Sequence, residues 1–252
     1  TKVAQVCGLV ESEVSEFFRL FAKTARTVTV FSQGINQSSS GVDKGNAIIN
    51  VHLATGRIGK AGMGPFSLTG QPNAMGGREV GGLASTLAAH MDFAADAVET
   101  VRRFWAAPRI ASRPGLKAVD LFRQVREGRV KALWIMATNP AVSLPDAALV
   151  REGLAACPFV VVSDCIADTD TSRFAHVKLP AVGWGEKDGT VTNSERLISR
   201  QRALFPPAGE ARPDWWIVTQ VARAMGWAEA FAYDRPADIF REKLHLGAVW
   251  PR

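Results

Sequence analysis

Cysteine is scarce: Cys7, Cys157 and Cys165 are the only three, and their spacing is irregular. That spacing fits no disulfide framework, zinc site or iron–sulfur cluster, and points to a reducing, cytoplasmic setting. Long apolar runs are missing too, since no stretch reaches the ~18 residues of a membrane span, so no membrane partner is expected. Residues 1–30 lack the basic, apolar, small-residue order of a signal peptide, and the chain reads as opening mid-stream at Thr1. Dense Lys/Arg blocks with interleaved aromatics are absent. The 30 basic and 24 acidic residues are scattered, and a net charge of +6 suits anionic small ligands better than nucleic acid. No Gly-x-Ser-x-Gly elbow is present and the four histidines sit in no triad-like context, which weakens a hydrolase reading. Phosphoryl transfer is weaker again, for want of a Gly-x-x-x-x-Gly-Lys-Ser/Thr loop.

What is there is enough for a real core. The 252 residues are 47% hydrophobic and 21% charged, a composition of one or two soluble globular domains. Ser12 can cap a helix in which Val14, Phe17, Phe18 and Phe21 recur at helical spacing, which predicts that these phenylalanines are core. Residues 27–31 read as a short β-branched strand, followed by the loop Ser32-Gln-Gly-Ile-Asn-Gln37, and residues 43–54 read as a helix. His52 on that helix lies beside apolar residues and reads as structural. Residues 83–91 read as the start of an Ala-rich helix, residues 92–114 carry no assignable chemistry, and residues 116–128 repeat apolar positions at helical spacing. Apolar strands follow at 130–137 and 159–162, with a helix between them over 146–156. Each strand runs into a polar turn, Thr138–Ser143 and Ser163–Asp164. Strand, loop, helix, strand in that order predicts a parallel α/β sheet with both turns at one edge.

The most informative stretch is Phe66-Ser-Leu-Thr-Gly-Gln-Pro-Asn-Ala-Met-Gly-Gly-Arg-Glu-Val-Gly-Gly82, with five glycines and one proline among Thr69, Gln71, Asn73 and Arg78. Backbone freedom set among hydrogen-bonding side chains suits either a close approach to a large polar ligand or a plain surface loop. Asp164, directly after a buried strand, can accept two hydrogen bonds from guanine or from ribose hydroxyls, or can cap the next turn. Asn139 before Pro140 is by itself a turn residue. Lys187 in a Glu-Lys-Asp run is by itself a solvated charge. Asp214 is well placed to cap a helix through Trp215, Val218, Val221, Ala222 and Met225.

FSLTGQPNAMGGREVGG resembles the signature loop of the molybdopterin oxidoreductases, in the form carried by catalytic subunits of assimilatory nitrate reductases. QGINQ is similar to that family's loop beside the metal, with Gln33 standing where the pattern usually has methionine. HLATGRIGKAGMG, ATNPAVSLPD, VVSDCIADTDTSRFAHVKLP and the stretch 179–196 are also similar to family segments. The resemblance covers about residues 10–240 and fades beyond Phe240. It implies a mainly parallel α/β fold flanked by helices, made of parts of two Rossmann-like sub-domains. Residues 1–70 would end one cofactor-binding sub-domain and residues 71–252 form a second, dinucleotide-binding one. It further implies a molybdenum bis-molybdopterin guanine dinucleotide cofactor. Gln33, Gly34, Gln37, Gly70, Gln71, Asn139, Ser163, Asp164, Lys187 and Asp214 would bind that cofactor, while Arg78 and Thr69 would work at the catalytic centre.

No residue here matches a metal ligand of the family, and its [4Fe–4S] cysteine motif is also missing, so that cluster is expected only in an amino-terminal part outside this sequence. The expectation is a central piece of a catalytic subunit that reduces nitrate to nitrite, inactive when isolated. Its partners would be nitrate, the remaining segments of the subunit and an electron-donor protein or domain. Two other readings stay open: a non-catalytic α/β nucleotide-binding module, and a related molybdopterin enzyme such as a formate dehydrogenase.

Overall fold

The computed structural model describes residues 1–250. Two compact units divide the chain, Thr1–Pro72 and a second from Asn73 onward.

The first unit runs α1 (Lys2–Cys7), α2 (Glu11–Lys23), β1 (Val28–Phe31), α3 (Gln33–Asn36), α4 (Gly41–Ala54) and β2 (Gly64–Ser67). The two strands are parallel, in register from Val28–Gly64 to Phe31–Ser67. α4 is the crossover between them, as a parallel pair requires. It turns His52 fully inward, where Nε2 lies 2.7 Å from the Thr29 hydroxyl of β1. Beyond α4, the buried Arg57 donates to the carbonyls of Phe21 (2.6 Å) and Thr24 (2.7 Å), tying the end of α2 to the chain entering β2.

Two expectations fail in α2. Ser12 does not cap it, because the helix begins two residues earlier, at Glu11, with Val10 in the cap position. There Glu11 and Glu13 occupy the first turn and complement the helix dipole. The phenylalanine face is not core either: Val14 is buried, but Phe17 is 60% and Phe18 51% exposed. The apolar stripe is real, but Phe17 and Phe18 line an open groove with Val3 of α1 and Leu9, while Phe21 packs against His52 of α4.

The second unit contains α5 (Ala74–Glu79), α6 (Ala95–Phe104), α7 (Ala118–Arg126), β3 (Ala132–Met136), α8 (Pro140–Ser143), α9 (Ala147–Ala156), β4 (Phe159–Asp164), β5 (Val177–Pro180), β6 (Gly189–Thr192), β7 (Ile198–Gln201), α10 (Asp214–Ala224) and α11 (Pro236–Val249). β3, β4 and β5 form a parallel three-stranded sheet in that order. Its core joins Leu133, Ile135, Val160 and Val162 of the strands to Phe122 and Val125 of α7 and to Val150 and Leu154 of α9. α7 and α9 approach closely at Gly153, where an added Cβ would lie 3.3 Å from the Arg126 nitrogen. β6 and β7 are an antiparallel hairpin, so the parallel α/β expectation holds for both larger chain crossovers and not for this ribbon.

The expected helix over residues 83–91 is absent. Only a single 3₁₀ turn forms, Ala88–His90, with Ala89 at φ 54° and His90 at φ 58°. The backbone there is spent on other bonds, Gly115 N–H to the Ala84 carbonyl (2.8 Å) and Leu87 N–H to the Met91 carbonyl (2.8 Å). Conversely, residues 92–114 hold α6, whose Ala97 and Val101 are fully buried with Met91 and Leu246 in a second small core. Among the described residues no helix is long and apolar enough to cross a membrane.

Candidate cofactor-binding site

In the first unit, the carboxyl ends of β1 and β2 lie side by side and release two loops at one edge. The Leu68 N–H bonds the Phe31 carbonyl at 2.8 Å, and the Asn36 side-chain amide reaches the Ser67 hydroxyl at 3.5 Å. Gln33, Gly34 and Gln37 therefore share this edge with Thr69, Gly70 and Gln71. Gln33 opens the single turn of α3 and its carbonyl accepts the Gln37 N–H at 2.8 Å. The Thr69 hydroxyl donates to Gln71 Oε1 at 3.1 Å. Gly34 and Gly70 have no atom within 4 Å of where a Cβ would stand, so the backbone is open to an incoming group at both.

In the second unit, β3 and β4 are neighbours, as their apolar character predicts, and their exits differ in use. Asn139 caps α8 with its backbone, while its Oδ1 accepts both the N–H (3.1 Å) and the hydroxyl (2.7 Å) of buried Thr171. That carboxamide oxygen braces the loop after β4. Ser163 is buried, with its hydroxyl accepting from the Trp134 indole at 2.8 Å. Asp164 is the member of the trio that faces a cleft, a cavity of about 480 Å³ also lined by Cys165, Lys178, Pro180 and Glu186. Its Oδ1 accepts the Ile166 N–H at 3.0 Å, and Oδ2 takes no hydrogen bond from any described residue. Lys178 and Glu186, which sequence reasoning did not single out, sit in a strand and a 3₁₀ turn inside stretches similar to family segments.

Lys187 and Asp214 meet each other. Lys187 Nζ donates to Asp214 Oδ2 at 2.8 Å across 27 residues of sequence, with both side chains about one-third exposed. Asp214 is not the cap of α10: Pro213 occupies that position and Asp214 is the first helical residue. Its carboxylate is thereby released from capping, and Oδ1 is buried with no partner. A buried acceptor left unsatisfied is costly unless a ligand supplies the donor.

Arg78 lies in the last turn of α5, exposed, and forms no ion pair or hydrogen bond with the described residues. Its neighbour Glu79 is buried instead and accepts from Arg196 (3.2 Å) and Lys243 (3.0 Å). Burial alone would raise the Glu79 pKa, but the hydrogen bonds and charges of Lys243 and Arg196 more than offset it and hold the carboxyl below its ordinary range.

Comparison with known proteins gives these placements a context. The molybdopterin oxidoreductase family matches residues 8–224. A nitrate reductase of Klebsiella oxytoca is 61% identical over 245 residues, covering 97% of this chain and 28% of that protein. One from Shewanella frigidimarina is 51% identical over 246 residues, covering 98% of this chain and 26% of that protein. A formate dehydrogenase subunit alpha of Methanocaldococcus jannaschii is 33% identical over 239 residues, covering 95% of this chain and 35% of that protein. The chain thus spans roughly a quarter to a third of the length of these relatives. A match over residues 8–224 takes in most of the sequence, and the chain belongs to the molybdopterin oxidoreductase family.

Proposed function

We propose that the chain is the central cofactor-binding segment of a molybdenum-dependent nitrate reductase that carries bis-molybdopterin guanine dinucleotide. The observation that carries this reading is the 61% and 51% identity to two nitrate reductases over nearly the whole chain. Formate oxidation is the second reading, supported by the formate dehydrogenase subunit at 33% identity.

The donors and acceptors at these positions fit such a cofactor. Asp214 offers a buried, unsatisfied carboxylate oxygen for an amino group, such as the one a pterin carries. Asp164 offers a second acceptor in a cleft large enough for a nucleobase, and guanine presents adjacent N–H donors. Lys187 fixes Asp214 in place and adds a positive charge beside phosphate or pterin oxygens. At the β1–β2 edge, Gln33, Gln37 and Gln71 supply amides that both donate and accept, while Gly34 and Gly70 leave the backbone approachable. Asn139 and Ser163 act behind Asp164, bracing the loop and the strand end. When bound, the molybdenum–dithiolene group supplies the redox chemistry. Arg78, cationic and unpaired, draws the nitrate anion and stabilises the charge that develops on its oxygens, with Thr69 offering a hydroxyl. Electrons come from a donor protein or domain outside this chain.

The test uses the full-length subunit, assayed for nitrate reduction and formate oxidation per bound molybdenum. Nitrate should be the working substrate. Arg78→Ala should lower its turnover by roughly 2–4 kcal/mol of transition-state stabilisation, or about two to three decades. Formate oxidation without nitrate reduction would replace the first reading by the second.

A further inference from the structure

Arg78 sits on a helix of six residues, too short to hold its own shape in water. α5 must therefore be held from outside, and the structure shows two ties. At its start, Asn73 Oδ1 accepts the Thr192 N–H at 2.8 Å, at the end of β6. Gly76 makes this possible, because a Cβ there would stand 2.2 Å from that same oxygen. At its end, the Glu79 carboxylate is gripped by Arg196 from the β6–β7 turn and by Lys243 from α11. Arg196 holds a left-handed backbone, φ 61°, which a non-glycine residue adopts at some cost. Burying a carboxylate between two cations adds little net stability, since desolvation offsets the attraction. What it does fix is geometry.

We propose that Asn73 and Glu79 are positioning residues for Arg78, clamping both ends of α5 to the β6–β7 hairpin and α11 so that the guanidinium is pre-aimed at an oxyanion. The proposal rests on the role of Arg78 given above. The clamp engages Arg196 and Lys243 on Glu79 and leaves Arg78, the cation of α5, without a carboxylate partner among the described residues. A misplacement of about 1 Å at such a group costs up to a hundredfold in rate, so the ties matter kinetically without touching substrate.

The test is a double-mutant cycle in the full-length, molybdenum-loaded subunit, with Arg78→Ala, Glu79→Gln and the pair. Glu79→Gln should lower kcat/KM for nitrate about tenfold, and less than twofold when Arg78 is already alanine, as expected of coupled neighbours. Amide hydrogen exchange of residues 73–80 should quicken in Glu79→Gln at unchanged molybdenum content. An equal loss in both backgrounds, or unchanged exchange, overturns the positioning role. Should Glu79→Gln not fold, Lys243→Gln cuts one of the two ties and carries the same cycle with the same criteria. If Arg78→Ala leaves nitrate turnover intact, the role of Arg78 and the kinetic aim of the clamp both fall. Altered exchange in Glu79→Gln would then mark the ties as structural only.

Discussion

His52 shows how one side chain ties a sequence position to a measurable property. Its ring is fully buried, lies edge-on to Phe21 with centroids 5.5 Å apart, and leaves Nδ1 without a partner. Burial first, and the charge of Arg57 second, push its pKa below the ordinary value of 6.5. The folded chain thus prefers the neutral ring. Its contribution to stability is complete above the unfolded pKa and is lost as pH falls from there toward the lower folded value. The unfolding temperature should therefore drop between about pH 7 and pH 5, and His52→Gln should flatten that slope. An unchanged slope in the variant would remove His52 from the account. The structural reading of this histidine was legible in its apolar neighbours. The exposure of Phe17 and Phe18 was not, because periodicity reports an apolar face and says nothing of what covers it.

Elements differ in how plainly they announce themselves. β3 and β4 are apolar runs ended by polar turns, and their parallel pairing follows from the helix between them. α10 was also legible, although its first residue proved to be Asp214 rather than a residue after it. The stretch 83–91 has a helix-forming composition but is drawn away by the long-range backbone bond from Gly115 to Ala84, a tertiary effect that local propensity does not carry, and by a local Leu87–Met91 bond. α6 was hidden for a different reason: it lies in residues 92–114, a connection that carries no assignable chemistry and holds Pro108 and Pro114. Packing predicts a contrast between elements. Leu154→Ala on α9 removes a fully buried side chain and should cost about 2–5 kcal/mol in denaturant unfolding. Phe17→Ala on α2 should change the same chain by about 0.5 kcal/mol or less, since its ring is 60% exposed. Equal losses at the two sites would mean that the α2 face is covered after all.

For the whole molecule, the motifs pointed to residue types and the fold decided their company. Asp164 faces a cleft as its place at the carboxyl end of β4 suggested, while Asn139 and Ser163 support the wall behind it. The pairing of Lys187 with Asp214 was invisible in sequence, because nothing local links residues that far apart. The chain represents only part of its relatives' length, and the proposed function places activity in a longer subunit. The isolated chain, supplied with cofactor and a reduced electron donor, should form no nitrite, and any steady nitrite production would show that it carries the reaction alone. The most direct test is the cofactor itself. The full-length subunit and its Asp164→Ala variant would be purified, and molybdenum and acid-released guanine nucleotide measured in each. The account predicts guanine nucleotide and molybdenum in a two-to-one ratio in the parent protein. In the variant, cofactor content should fall at normal stability, with turnover per remaining molybdenum nearly unchanged. Full cofactor content in Asp164→Ala, or a parent protein without guanine nucleotide, would contradict it.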